Sequence, residues 1–138
     1  MRVFVTGVNG QLGHDVVNEL YKRGYEATGS DIQDTCPNNM PYVKLDITDK
    51  EEVNKIITNY DVIIHCAAWT AVDMAEDDDK VELVRRVNAE GARNIAEACK
   101  NINAKMVYIS TDYVFDGQGT KPWSPDCSSV TIYCAFII

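Results

Sequence analysis

The stretch TGVNGQLG, residues 6–13, constrains the fold of this 138-residue chain more than any other feature. Gly7, Gly10 and Gly13 follow the β-branched run RVFVT and precede apolar residues at helical spacing between Gln11 and Arg23. In a strand–turn–helix unit of this kind, the first glycine permits a tight turn and the second lets an anionic group approach the backbone. The third lets the helix pack close to the strands, so the unit predicts a phosphate-binding turn.

A pyrophosphate is expected at the N-terminus of this helix, where unpaired N–H groups and the helix dipole favour an anion. Asp31 ends the next short run, YEATGSD, 18 residues beyond Gly13. A carboxylate there can accept from both hydroxyls of an adenosine ribose and repels a 2′-phosphate, which favours NADH over NADPH. The alternative is a glycine turn in some other α/β protein with an unrelated surface Asp. The predicted contacts near the turn are Gly7, Asn9, Gly10, Gln11, Leu12, Gly13 and Asp31.

Apolar runs and helical periods alternate along the rest of the chain. Further strands are predicted at 42–47, 61–68 and 105–111, with a helix capped by Thr48 or Asp49 and a longer helix at about 78–101. Strands that are apolar on both faces belong in a parallel sheet covered by helices on both sides. We therefore predict a Rossmann-like, doubly wound α/β sheet of about five strands. The dinucleotide-binding domain is expected over 1–118, with an irregular tail at 119–138.

Two further strand ends carry candidate contacts. Asp46 and Ile47 could bind the adenine edge, although Asp46 is equally suited to capping the turn before the next helix. Ala67 and Ala68 are small residues at a strand end, where ligands bind in open α/β sheets, but tight packing alone also explains them.

Composition excludes several classes of protein. The net charge is −8 and no basic cluster occurs, which argues against a nucleic-acid or anionic-membrane surface. No apolar run is long enough for a membrane helix, and the N-terminus does not read as a signal peptide. The five cysteines are scattered and lack metal-ligand spacing, so they indicate reduced thiols in a cytoplasmic protein without a metal centre.

Several motifs in order resemble the extended short-chain dehydrogenases, and among these the dTDP-4-dehydrorhamnose reductases. The motifs are TGVNGQLG, the aspartates at 31 and 46, AAWTAVDMAE, VNAEGARNIA and STDYVFDG. The resemblance runs from residue 1 to about residue 126. It implies NAD(P)H-dependent reduction of the 4-keto group of a dTDP-activated deoxysugar, with a homo-oligomer as a possibility.

The resemblance also implies roles for single residues. Thr111 would hydrogen-bond the reacting oxygen, unless it only satisfies backbone groups at a strand end. Thr70 and Val72 would face the nicotinamide or the sugar, Asp73 would bind sugar hydroxyls or hold its loop, and Asn88 would brace the sheet near the cofactor.

The last residues depart from the reductase pattern, which requires Tyr-x-x-x-Lys. Here Tyr133 is followed four residues later by Ile137. A phenol with no cation beside it loses the electrostatic tuning that speeds proton transfer. We therefore expect a truncated reductase with an altered tail, lacking the last strands and the small substrate domain, and weakly active or inactive. The alternatives are a non-catalytic dinucleotide-binding or regulatory module, and another nucleotide-sugar epimerase or dehydratase.

Overall fold

A computed structural model describes residues 1–36, 39–71, 80–111, 120 and 122 of the chain. Its strands are β1 (Arg2–Thr6), β2 (Glu26–Asp31), β3 (Tyr42–Lys44), β4 (Val62–His65) and β5 (Lys105–Tyr108). They form one sheet in the order β3-β2-β1-β4-β5, and every neighbouring pair is parallel. The chain therefore moves outward from β1 in one direction and then in the other, which is the order of a Rossmann-type sheet.

Helices connect these strands. They are α1 (Gln11–Lys22), α2 (Lys50–Ile56), α3 (Val81–Arg85) and α4 (Ala92–Ile102), and a π-helical segment, Arg86–Gly91, joins the last two. The side chain of Asp49 caps α2 by accepting from the backbone N–H groups of Glu51 and Glu52, each at 3.0 Å. Of the two predicted caps, Asp49 is therefore the one that is used.

The sheet is covered on both faces. On one face Phe4 and Ile63 of the sheet pack with residues of α2 and α4, including Val53 and Ile95. On the other face the strands pack against Val17 of α1. These side chains are fully buried, and the burial of each one stabilises the fold by about 1.5–3 kcal/mol. The predicted doubly wound α/β sheet of five strands is confirmed.

The structure corrects several details of the sequence analysis. Strands β3, β4 and β5 stop three residues short of their predicted ends. Val107 of β5 is exposed, because β5 ends the sheet within the described part of the chain and has only β4 beside it there. In the long helical region Val84 and Ala98 are buried, whereas Leu83 and Ala96 are exposed.

Other sequence predictions are only partly covered by the structure. Among the described residues no helix is long and apolar enough to cross a bilayer. Cys36, Cys66 and Cys99 are free thiols. The predicted substrate contacts Val72 and Asp73, and the tail from 123 onward with Tyr133, lie outside the described residues. The domain boundary at 118, the cytoplasmic location and a homo-oligomer stay predictions.

Candidate functional site

The glycine turn joins β1 to α1 at the carboxyl ends of the strands. Gly7 has φ +71°, and a Cβ built on it would lie 2.6 Å from the backbone nitrogen of Ala67. A Cβ on Gly13 would lie 2.2 Å from the carbonyl oxygen of Gly7. Both glycines are therefore required by the fold itself: Gly7 for the left-handed turn against β4, and Gly13 for the close packing of α1 on the turn.

Gly10 differs from these two glycines, because a Cβ there would meet only the Gly7 carbonyl oxygen, at 3.3 Å. Gly10 is exposed and is the N-cap of α1, with φ −81° and ψ 163°, and it has no side chain to cap the helix. The N–H groups of the first turn, which include those of Gln11 and Leu12, have no acceptor within the helix. The positive end of the α1 dipole thus faces open space beside a glycine, which is a geometry suited to a phosphate.

Asp31 lies at the end of β2, next to the turn. Its carboxylate Oδ2 accepts from the backbone N–H of Asn9 at 3.1 Å. The Asn9 side-chain nitrogen donates to the carbonyl oxygen of Thr35 at 3.0 Å and to Gln33 Oε1 at 3.3 Å, while its Oδ1 is buried and has no hydrogen-bond partner among the described residues. The predicted pyrophosphate turn and the predicted ribose acceptor are therefore adjacent and linked by Asn9.

Asp46 follows β3 and is engaged locally. Its Oδ1 accepts from the backbone N–H of Thr48 at 2.9 Å and from the Thr48 hydroxyl at 2.8 Å. This is the turn-capping geometry that was the alternative to an adenine contact. The carbonyl oxygen of the next residue, Ile47, accepts from the buried side chain of Asn94 at 3.0 Å. Asn94 was missed by the sequence analysis, because a buried Asn in a helix shows its partner only in three dimensions.

The segment after β4 is held from two sides. The Thr6 hydroxyl accepts from the backbone N–H of Ala67 at 3.2 Å and forms a 2.8 Å hydrogen bond with Nδ1 of buried His65. Asn88, in the π-helical segment, accepts from the Trp69 N–H at 2.8 Å and donates to the Trp69 carbonyl at 3.2 Å. π-helical turns often occur at functional sites, and here one places a side chain that fixes the loop beside the glycine turn.

The predicted contacts on this segment face solvent to different degrees. Ala67 is half-buried against Gly7, whereas Ala68 and Thr70 are exposed. Thr111 follows β5 and is half-buried. Strands β1, β4 and β5 are parallel neighbours in the sheet. Their carboxyl ends therefore lie on the same side of the sheet as the glycine turn.

Burial determines the protonation states of His65, the last residue of β4, and of Cys66, which follows it. Desolvation lowers the pKa of His65 from 6.5 to about 4, so the imidazole is neutral at physiological pH. Desolvation also raises the pKa of the Cys66 thiol, which disfavours the reactive thiolate. Neither group is therefore set up as a general acid or nucleophile at neutral pH.

Lys44 is a second residue that the sequence analysis missed. It ends β3 and pairs in register with Asp31 of β2. Its ammonium contacts the carboxylate of Asp34 at 2.5 Å. The hydrogen bond between them lowers the pKa of Asp34 and raises the pKa of Lys44, so both carry charge at neutral pH. Lys44 lies inside the predicted strand 42–47, and its neighbour on β2 became visible only with the strand register.

A cleft elsewhere in the molecule is a poorer candidate. It encloses about 510 Å³ at the amino ends of the strands, where its lining includes Arg2, Tyr25, Thr28 and Tyr60. Ligands of open α/β sheets bind at the carboxyl ends of the strands, where the chain order reverses. That reversal occurs between β1 and β4, at the glycine turn. Among the described residues no cluster of three or more His, Cys, Asp or Glu could hold a metal ion.

The residues at the glycine turn fit a dinucleotide. Gly10 leaves room that a Cβ would fill, the first turn of α1 offers N–H donors to a pyrophosphate, and Asp31 offers an acceptor to a ribose. The turn and Asp31 are adjacent, because the Asp31 carboxylate accepts from the backbone N–H of Asn9.

The chain is similar to known proteins in sequence and fold. Residues 1–130 match the family model described as the RmlD substrate binding domain. A dTDP-4-dehydrorhamnose reductase from Streptomyces griseus is 37% identical over 127 residues, which cover 91% of this chain and 38% of the relative. A crystal structure of dTDP-4-dehydrorhamnose reductase from Bacillus anthracis in complex with NADP is 38% identical with a TM-score of 0.82, covering 99% of this chain and 46% of that one.

A wider similarity extends to a Thermus thermophilus UDP-glucose 4-epimerase in complex with NAD. It is 32% identical with a TM-score of 0.78, covering 98% of this chain and 47% of that one. The chain thus spans less than half the length of the relatives that it matches. Because the family model covers residues 1–130, this chain belongs to the RmlD substrate binding domain family.

Proposed function

We propose that this chain binds a nicotinamide dinucleotide at the glycine turn, with NADH favoured over NADPH. We further propose that it is part of a reductase acting on the 4-keto group of dTDP-4-dehydrorhamnose. The observation that carries the proposal is the uncapped N-terminus of α1 at Gly10, lying next to the Asp31 carboxylate that Asn9 fixes in place. Membership of the family and its NADP- and NAD-bound relatives support it.

In this proposal each residue has a binding role. The N–H groups at the start of α1 hold the pyrophosphate, and Asp31 accepts from the ribose hydroxyls. Asp46 and Ile47 border the adenine, while the small residues Ala67 and Ala68 let the cofactor lie close to β4.

The remaining candidates concern the reaction. The chemistry that a dihydronicotinamide would supply, when bound, is hydride transfer to the carbonyl carbon of the sugar. The hydroxyl of Thr111 donates a hydrogen bond to the carbonyl oxygen, which becomes negative as the reaction proceeds, so the contact strengthens in the transition state. Thr70, Val72 and Asp73 contribute the contacts to the nicotinamide or the sugar.

Titration with NADH, followed by its fluorescence, tests the binding half of the proposal. Asp31→Asn keeps an oxygen for the Asn9 N–H but removes the charge, and we expect about tenfold weaker NADH binding, which corresponds to one charge-assisted hydrogen bond. Asp15→Asn is the matched control, because Asp15 is exposed on α1 and makes no predicted contact. Equal NADH affinity for wild type and Asp31→Asn contradicts the assignment of Asp31.

A second substitution probes the pyrophosphate position. Gly10→Ala meets only the Gly7 carbonyl within the fold, so its unfolding free energy should change by less than about 1 kcal/mol. The added methyl group occupies the space proposed for the phosphate, and NADH affinity should fall at least about tenfold. A Gly10→Ala protein that binds NADH as tightly as wild type does rules out the glycine turn as the pyrophosphate site.

Turnover separates the enzyme from a binding module. Ile137 stands four residues after Tyr133, where the reductase pattern has a Lys that would tune the phenol. We therefore propose that it binds NADH but oxidises it slowly or not at all with dTDP-4-dehydrorhamnose. NADH binding without turnover supports a dinucleotide-binding module, and rapid NADH oxidation contradicts that reading. An epimerase is distinguished because it causes no net oxidation of NADH.

A further inference from the structure

The ion pair between Lys44 and Asp34 lies beside the proposed ribose site. Strands β2 and β3 are paired so that Lys44 is the register partner of Asp31, and neighbouring strands are about 4.8 Å apart. The backbone N–H of Leu45 donates to the carbonyl oxygen of Asp31 at 2.9 Å, which fixes this register at the strand end. The Lys44 side chain is long enough to span one strand spacing, so its ammonium is available to a group bound at Asp31.

The ion pair is exposed to water. The side chains of Lys44 and Asp34 are 56% and 83% exposed, and their contact is 2.5 Å. Exposed ion pairs contribute little to stability, because water solvates both charges well when the pair separates. Lys44 can therefore leave Asp34 at small cost and take a stronger partner.

The charges around Lys44 decide what that partner is. Asp31, Asp34 and Glu52 present carboxylates near the end of β3, and Lys44 interacts electrostatically with both Asp34 and Glu52. A ribose 2′-phosphate placed at Asp31 meets repulsion from these carboxylates and attraction from the Lys44 ammonium. Phosphate carries more charge than a carboxylate and offers three oxygens, so it competes well for a lysine.

We propose that Lys44 is a cofactor-specificity residue that exchanges Asp34 for the 2′-phosphate of NADP(H). Lys44 then offsets part of the repulsion from Asp31, so the chain binds NADPH measurably even though it favours NADH. This inference rests on the proposed function, since it requires the adenosine ribose to lie at Asp31.

The loop that carries Asp34 is held in place on both sides of that residue. The Asn9 side chain donates to the Thr35 carbonyl at 3.0 Å, and the Tyr42 hydroxyl donates to the Gln33 carbonyl at 2.5 Å. Asp34 therefore competes with a 2′-phosphate for Lys44 from a fixed position, and removing its charge should favour NADPH.

Titrations with NADH and NADPH on the same proteins test the inference. Lys44→Gln should weaken NADPH binding about tenfold and leave NADH binding within about twofold of wild type. Lys50→Gln is a matched control, because Lys50 and Glu97 form an ion pair of 2.6 Å with side chains 60% and 43% exposed, away from the glycine turn. This control should change neither affinity.

Asp34→Asn tests the same exchange from the opposite direction. It frees Lys44, so NADPH should bind about threefold more tightly while NADH is unchanged. This gain in NADPH affinity should shrink at 0.5 M salt, because salt screens the exposed contact between Lys44 and the 2′-phosphate. If Lys44→Gln shifts both affinities equally or neither, or if wild type binds NADH but no NADPH, the inference fails while the proposed function stands. If wild type binds neither dinucleotide, the proposed function fails and the inference with it.

Discussion

The buried imidazole of His65 makes the stability of this protein depend on pH in a way that the structure quantifies. His65 is 2% exposed, forms a 2.8 Å hydrogen bond with the Thr6 hydroxyl, and stacks on Tyr108 with ring centroids 5.7 Å apart. Burial lowers its pKa from 6.5 to about 4 in the folded state. In the unfolded chain the pKa returns to its ordinary value, so between these two pH values the unfolded state binds more protons.

The sign and size of the effect follow from this difference. Because the unfolded state takes up the proton first, the free energy of unfolding falls as the pH drops below about 6.5. The shift corresponds to about 3 kcal/mol in all, of which about 2 kcal/mol is lost between pH 7 and pH 5. Carboxylates held at lowered pKa by cations, such as Glu19 beside Arg23, lose their contribution at lower pH than His65 does.

Urea unfolding at pH 7 and pH 5 measures this loss. His65→Asn cannot titrate and should lose about 2 kcal/mol less than wild type over that range, whatever its stability at pH 7. An NMR titration of the His65 ring gives a second readout, with a midpoint expected near 4. A midpoint near 6.5, or equal losses in wild type and His65→Asn, would refute the reasoning.

Three other substitutions have expected outcomes in urea unfolding. Gly7→Ala places a Cβ 2.6 Å from the Ala67 nitrogen at φ +71°, and should cost at least about 2 kcal/mol; a cost no larger than that of Gly10→Ala would contradict the packing assigned to Gly7. Asp49→Ala removes the cap of α2 and should cost about 1 kcal/mol, whereas Asp49→Ser should restore most of it. Asn88→Ala removes both hydrogen bonds to the Trp69 backbone, and should cost about 1–3 kcal/mol and change the tryptophan emission; unchanged stability and emission would argue against this bracing role.

The elements and their order could be predicted from local sequence patterns. Short β-branched runs and helical periods are local patterns, so β1, α1, β2 and the glycine turn could be recognised from consecutive residues. Gly7, Gly10 and Gly13 could also be assigned to different tasks, since their spacing in a strand–turn–helix unit has a known steric basis. The parallel arrangement followed from strands that are apolar on both faces.

Which residues meet across the sheet became visible only in three dimensions. The register of β2 with β3 brings Lys44 beside Asp31, and the sheet order brings Thr6 to His65, 59 positions along the chain. The spacing of residues along the chain reflects local geometry. These contacts depend instead on how separate strands align, and a single stretch of sequence does not specify that alignment.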